Sequence, residues 1–99
     1  MFGNKPGIVM PSPGMVIGYC EVENDNYKAN PSGEYPTSFY KVPNVGDRIQ
    51  GYFSKCWEVI RITHSMNFSD NVKKFDLGYD KILMINPGQA YIILTLRNL

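Results

Sequence analysis

Ala90-Tyr91-Ile92-Ile93-Leu94-Thr95-Leu96-Arg97 decides the fold class of this chain. Ala90, Ile92, Leu94 and Leu96 fall on one face of a strand, and Tyr91, Ile93, Thr95 and Arg97 on the other. A period of two is the mark of a pleated strand; here one face is wholly apolar and the second turns polar toward its end. The preceding Tyr79-Asp80-Lys81-Ile82-Leu83-Met84-Ile85 ends in a continuous apolar run. Its length and β-branching assign it to a strand buried on both sides. Asn86-Pro87-Gly88-Gln89 joins the two. Pro87 presets φ at the second turn position, and Gly88 tolerates the positive φ that a type II turn needs at the third. The sequence therefore predicts a β-hairpin over 79–97.

Upstream, 45–53 alternates loosely and Cys56-Trp57-Glu58-Val59-Ile60-Arg61-Ile62-Thr63-His64 follows. Trp57 and Val59 share one parity, Ile60 and Ile62 the other. One extra residue near Val59-Ile60, a β-bulge, would turn all four toward one core and bend the strand as a small barrel requires. Residues 15–23 read as a further strand with a bend at Gly18, and Phe39–Val42 as a short one. The polar stretch 24–38 reads as a long loop without structure, of the kind that is usually functional or mobile. Ser69 is positioned to cap a short helix over 69–77, with Val72 and Phe75 on one side and Gly78 as its stop. These elements predict an all-β domain over 15–99: a small, partly open barrel of SH3-like or OB-like type with about five to six strands. Residues 1–14 form a Pro/Gly-rich arm, whose Ile8, Val9 and Met10 lie on the barrel wall or reach a second subunit.

Composition narrows the function classes. Ninety-nine residues allow one domain, and folding should bury about 65% of the unfolded surface, enough for one core. Apolar residues at 43% and charged residues at 19% argue against disorder. A net charge of +1 argues against a strong polyanion binder. No apolar run is long enough to span a bilayer. The segment 1–15 lacks a charged region followed by an apolar one, so no signal peptide is predicted and the cytoplasm is the expected compartment. Cys20 and Cys56 are then expected as free, mostly buried thiols.

Val42-Pro43-Asn44-Val45-Gly46-Asp47-Arg48-Ile49, followed by a short hairpin into 57–64 and a final apolar strand, resembles a group of small uncharacterised bacterial and mobile-element proteins with a VPxVGDxV pattern. The resemblance covers 42–64 and 90–96. It implies an SH3-like barrel and carries no activity with it.

Little in the chain looks catalytic. His64 is the sole histidine. As a base it would need a nucleophile within hydrogen-bond reach, and Cys56 lies eight residues away on the same bent strand, far out of reach at about 3.3 Å per residue. A small enzyme using His64 is the most distant reading. There is no C-x-x-C and no phosphate-cradling glycine loop, so no metal and no cofactor are expected. Glu21, Glu23 and Asp25 alternate at a strand end, where a solvated face explains them better than a cation site does.

Two binding readings remain. Small barrels can stack bases on exposed aromatics beside basic residues, and Arg48, Tyr52, Lys55, Arg61, Lys73 and Lys74 are the candidates. The charge balance ranks this nucleic-acid reading second. The favoured reading is a non-enzymatic module that binds another protein, or itself as a homo-oligomer; a mobile-element protein acting on a host protein fits it. Open barrels leave edge strands ready for augmentation, and tyrosine is favoured at interfaces. Tyr27 and Tyr35, in the polar loop, have no evident core role. Tyr91 and Ile93 share the face of the last strand that a single-layer wall would expose. These four are the expected interface residues.

Overall fold

The computed structural model describes residues 7–9, 13–23, 28–29, 36–51, 56–78 and 80–99. The strands among them are β1 (Gly7–Val9), β2 (Val16–Glu23), β3 (Lys28–Ala29), β4 (Ser38–Phe39), β5 (Arg48–Gln50), β6 (Cys56–Met66), β7 (Lys73–Gly78), β8 (Lys81–Ile85) and β9 (Ala90–Asn98). They form two sheets. The larger runs β3-β2-β9-β6-β5, with β4 also paired to β2, and the smaller runs β1-β8-β7. The larger sheet curls into a half-barrel of five strands, and the fold is all-β. β2 lies parallel to β9 and β1 parallel to β8, while the other pairs are antiparallel.

The first half of β9 is apolar on both faces because both are covered there, the condition under which a strand loses its alternation. Ile92, Leu94 and Leu96 join Cys20 and Val22 of β2, Ile49 of β5, and Trp57 and Val59 of β6 in a first core inside the curl. Tyr91, with Ile93 beside it, packs on the opposite side against Leu77, Leu83 and Ile85 of the small sheet. Tyr19 stacks on Phe75 at 4.4 Å between ring centroids, and Phe75 meets Tyr91 edge-on at 5.6 Å. Val59, Leu83, Ile85, Leu94 and Leu96 are the most deeply buried large side chains. Each contributes about 1.5–3 kcal/mol through burial.

The second layer overturns the expected hairpin over 79–97. The turn itself forms: the Gln89 amide donates to the Asn86 carbonyl at 3.0 Å, and Gly88 has a φ of 77°. But β8 pairs with β7 and β1, whereas β9 pairs with β6 and β2. Residues 86–89 are therefore an arch between sheets. Alternation reports which faces are apolar; it does not choose a strand's neighbour.

The expected helix over 69–77 is also replaced, by the strand β7. Its start is preorganised against helix by side chains that bond the local backbone. Asn67 Oδ1 accepts from the Ser69 amide at 3.0 Å, and Ser69 Oγ accepts from the Asn71 amide at 2.9 Å. Such Asx and Ser turns compete with helical bonding. Phe75 and Leu77 then alternate into the second core. Between β6 and β7 the chain crosses from one sheet to the other, and Asn67 pins that crossing to the arch after β8. Its Nδ2 donates to the Ile85 carbonyl and to the Asn71 carbonyl, both at 2.9 Å. The Asn67 backbone donates to the Gln89 carbonyl and accepts from the Gly88 amide.

The bulge falls where the parity conflict places it: the β6–β9 register shifts between Val59 and Arg61. Trp57, Val59 and Ile62 consequently share the first core, and Ile60 is the extra residue, half-buried and outside that cluster. The stretch 24–38 is not devoid of structure, since β3 pairs with the end of β2 and Ser38 opens β4. Residues 7–9 of the expected arm pair with β8 as an edge strand.

Candidate functional site

The half-barrel leaves a seam. β5 is the last strand at one margin of the curled sheet, and β4 sits on β2 toward the other. Between them lies a groove of about 520 Å³, lined by Pro36, Ser38, Phe39, Tyr40, Lys41, Pro43, Asp47, Arg48, Ile49 and Gln50, with Met15 at its side.

Two local devices shape its walls. On one side β4 crosses bare backbone at Gly18, whose amide donates to the Thr37 carbonyl at 2.9 Å. A Cβ at Gly18 would lie 2.5 Å from Cε2 of Phe39, so only glycine admits that ring. Phe39 thereby packs against the first core while its neighbour Tyr40 stands 91% exposed. On the other side a tight turn feeds β5. The Asp47 amide donates to the Asn44 carbonyl at 3.0 Å, Gly46 takes a φ of 97°, and the Asp47 carboxylate accepts the Asn44 amide at 2.8 Å. The turn is clamped to the bulged strand: the Gly46 amide donates to the Val59 carbonyl, and the Val59 amide to the Asp47 carbonyl. This is the physical content of the Val-Gly-Asp motif.

The β5–β6 register, Arg48 with Glu58, Ile49 with Trp57 and Gln50 with Cys56, fixes where the backbone groups of β5 point. With Val59 bonded to Asp47, Ile49 bonds inward to β6. The amides and carbonyls of Arg48 and Gln50 then face the seam. Among the described residues no strand pairs with that side of β5.

The expected interface residues fare differently. Tyr27 and Tyr35 lie outside the described residues, as do Tyr52, Lys55 and Asp25. Tyr91 is buried, 3% exposed, and Ile93 is half-buried. The face assigned to a partner is covered by the chain's own second sheet, which corrects both assignments. Burial raises the Tyr91 phenol, but hydrogen bonds from Lys73 and Ser65 and the Lys73 charge outweigh it and hold the group below the ordinary tyrosine range.

The described basic candidates are divided between the two sheets. Lys73 and Lys74 belong to the small sheet, Arg48 and Arg61 to the large one. Lys73 Nζ donates to the Tyr91 hydroxyl at 2.8 Å and lies 5.3 Å from the Phe75 and Tyr91 ring centroids, capping that aromatic group. Arg61 pairs with Glu23 at 3.5 Å. Arg97 Nε donates to the Glu58 carboxylate at 2.9 Å, and Thr95 donates to Glu21 at 3.4 Å. Glu21, Glu23 and Glu58 of the large sheet are thus each engaged.

His64 is exposed on β6, directly opposite Ile92. Both cysteines are free. Cys20 is buried, and burial pushes its thiol up to about 12. Cys56 is exposed, against the expectation that both thiols are buried. Among the described residues no three His, Cys, Asp or Glu side chains cluster as a metal site would require. Among the same residues no helix is long and apolar enough to cross a membrane.

Tyr40 and Lys41 were not singled out by sequence. Their signal was the Phe39-Tyr40 doublet, whose first ring packs inward at the end of β4 and whose second stands exposed just past it. Comparison of the chain with family models, with curated proteins and with solved structures returns no match.

Proposed function

We propose that this chain is a non-enzymatic protein-binding module of the cytoplasm that takes an extended segment of a partner protein into the seam, as an added strand along β5. One observation carries the reading. A curled sheet stops short of closure, and its last strand turns the backbone groups of Arg48 and Gln50 into a groove walled by Phe39 and the exposed Tyr40. Strand addition draws affinity from main-chain hydrogen bonds and specificity from side-chain pockets beside the edge, and the seam offers both. The consecutive pairing of β5, β6 and β9 is also what supports the SH3-like reading of 42–64 and 90–96.

The nucleic-acid reading loses ground because Arg61 and Lys73 are engaged within the fold. Gln50→Pro tests the proposal. Proline is tolerated at an edge position whose amide faces away from the sheet, so the variant should fold. It removes one seam donor and obstructs an incoming strand. A linear peptide library selected on the wild-type chain should yield binders that Gln50→Pro loses, and that shift the amide resonances of 38–40 and 48–50. Binders that ignore Gln50→Pro would refute strand addition at β5.

A further inference from the structure

We infer that the segment received by the seam carries a carboxylate, read by Arg48 and Lys41; this rests on the strand-addition reading above and specifies its ligand. The cations of the curled sheet are not equivalent. Arg61 and Arg97 each have an acidic partner. Arg48 stands opposite Glu58 in the β5–β6 register, but the Glu58 carboxylate is taken by Arg97. Arg48 is therefore left without the carboxylate its register places opposite it, and among the described residues it forms no ion pair. Lys41 reaches the same groove from the linker between β4 and β5, exposed and likewise without an ion pair among the described residues. The groove's own carboxylate, Asp47, is committed to its turn through the Asn44 amide. Two cations beside an open strand edge fit a peptide that offers Asp or Glu where its backbone pairs with Arg48 and Gln50. A guanidinium-carboxylate contact is the strong, directional kind of hydrogen bond.

The same charges argue against a second copy of this chain as occupant. Antiparallel pairing of two β5 strands about Ile49 would match the backbone groups, placing Arg48 opposite Gln50 of the other copy. The two Arg48 side chains would then sit as diagonal neighbours about 7–8 Å apart, with both Lys41 side chains nearby. That is like-charge crowding at a contact only three residues long. A carboxylate-bearing strand relieves it.

The test uses the full chain and a randomised linear peptide library. Selection on wild type should enrich Asp and Glu. A selected acidic peptide should bind Lys41→Gln/Arg48→Gln at least about tenfold more weakly, lose affinity with added salt on wild type, and lose binding on Gln50→Pro. Binders without acidic enrichment that Gln50→Pro still abolishes would overturn the carboxylate and leave strand addition standing. Binders insensitive to Gln50→Pro, or no binder at all, would overturn both. A wild-type dimer in sedimentation that Gln50→Pro dissociates would assign the seam to a second copy and overturn the acidic peptide.

Discussion

Replacing Asn67 by alanine is the sharpest test of the two-layer architecture, because one buried amide ties both crossings together. Asn67 is 3% exposed. Alanine removes the Nδ2 donors to the Ile85 and Asn71 carbonyls and the Oδ1 acceptor for the Ser69 amide. An ordinary hydrogen bond nets about 1 kcal/mol, and a buried group left without a partner costs about 1–3 kcal/mol. The bonds to Asn71 and Ser69 lie nearer solvent, so water can replace them in part. The Ile85 carbonyl is buried and has no such recourse. The loss should be about 3 kcal/mol, or a melting temperature lower by roughly 15 °C for a domain of this size. Urea unfolding followed by Trp57, the sole tryptophan and a residue of the first core, reads it directly. Asn67→Asp separates bonding from packing. It has nearly the same shape, but an ionised carboxylate would face two carbonyl oxygens and can donate to neither. It should be worse than alanine. A loss under about 1 kcal/mol for alanine, or an aspartate tolerated as well as asparagine, would refute the bridging role.

Gly18→Ala should cost about 1–3 kcal/mol by forcing the Phe39 ring off the β2 backbone. Combining it with Phe39→Leu should recover part of that loss, and strict additivity in the double-mutant cycle would contradict the contact. Gly46→Ala should cost about 1–2 kcal/mol because its φ of 97° strains any side chain, and its Cβ would meet nothing that compensates. Cys20 gives a pH signature. Its folded pKa is raised above the unfolded value of 9.0, to about 12. The folded state therefore holds a proton that the unfolded state releases; the associated stability is full below pH 9.0 and declines as pH rises toward 12. The decline is about 1.36 kcal/mol per pH unit across that window. The stability difference between wild type and Cys20→Ala should shrink accordingly, and a pH-independent difference would contradict the burial. A thiol reagent should modify Cys56 alone in the native chain and both cysteines in denaturant.

Strand identity was legible wherever the pattern was local. Period-two alternation located β9, the apolar run located β8, and the parity conflict at Val59-Ile60 located the bulge of β6. Partner choice was not legible, because it depends on a second layer that no local pattern announces. The apolar second face of β9 was the one hint: Tyr91 and Ile93 needed a cover, and the chain supplies it from β7 and β8. The helix expected over 69–77 failed for a related reason. Val72 and Phe75 have helical spacing, but Phe75 and Leu77 have strand spacing, and the Asn67 and Ser69 side chains settle the matter by binding the backbone. Arg48 was legible as a candidate from its charge. Tyr40 and Lys41 gain meaning only from the way β4 and β5 face each other across the seam.

The seam itself follows from a compromise in closing the sheet. β5 is three residues long and unpaired with β4, and the turn at 44–47 commits its start to Val59. An edge left open in this way is an aggregation hazard unless something blunts it. Shortness is one remedy and positive charge another, and β5 has both. Yet the remedy is selective. Arg48 repels another copy of itself, while among the described residues no strand pairs with the seam-facing amide and carbonyl of Gln50, which suit a strand that brings a carboxylate. Protection against self-pairing and recognition of an acidic segment thus rest on the same side chain. It follows that neutralising Arg48 should do two things at once: weaken an acidic ligand, and raise the tendency of the chain to pair with itself.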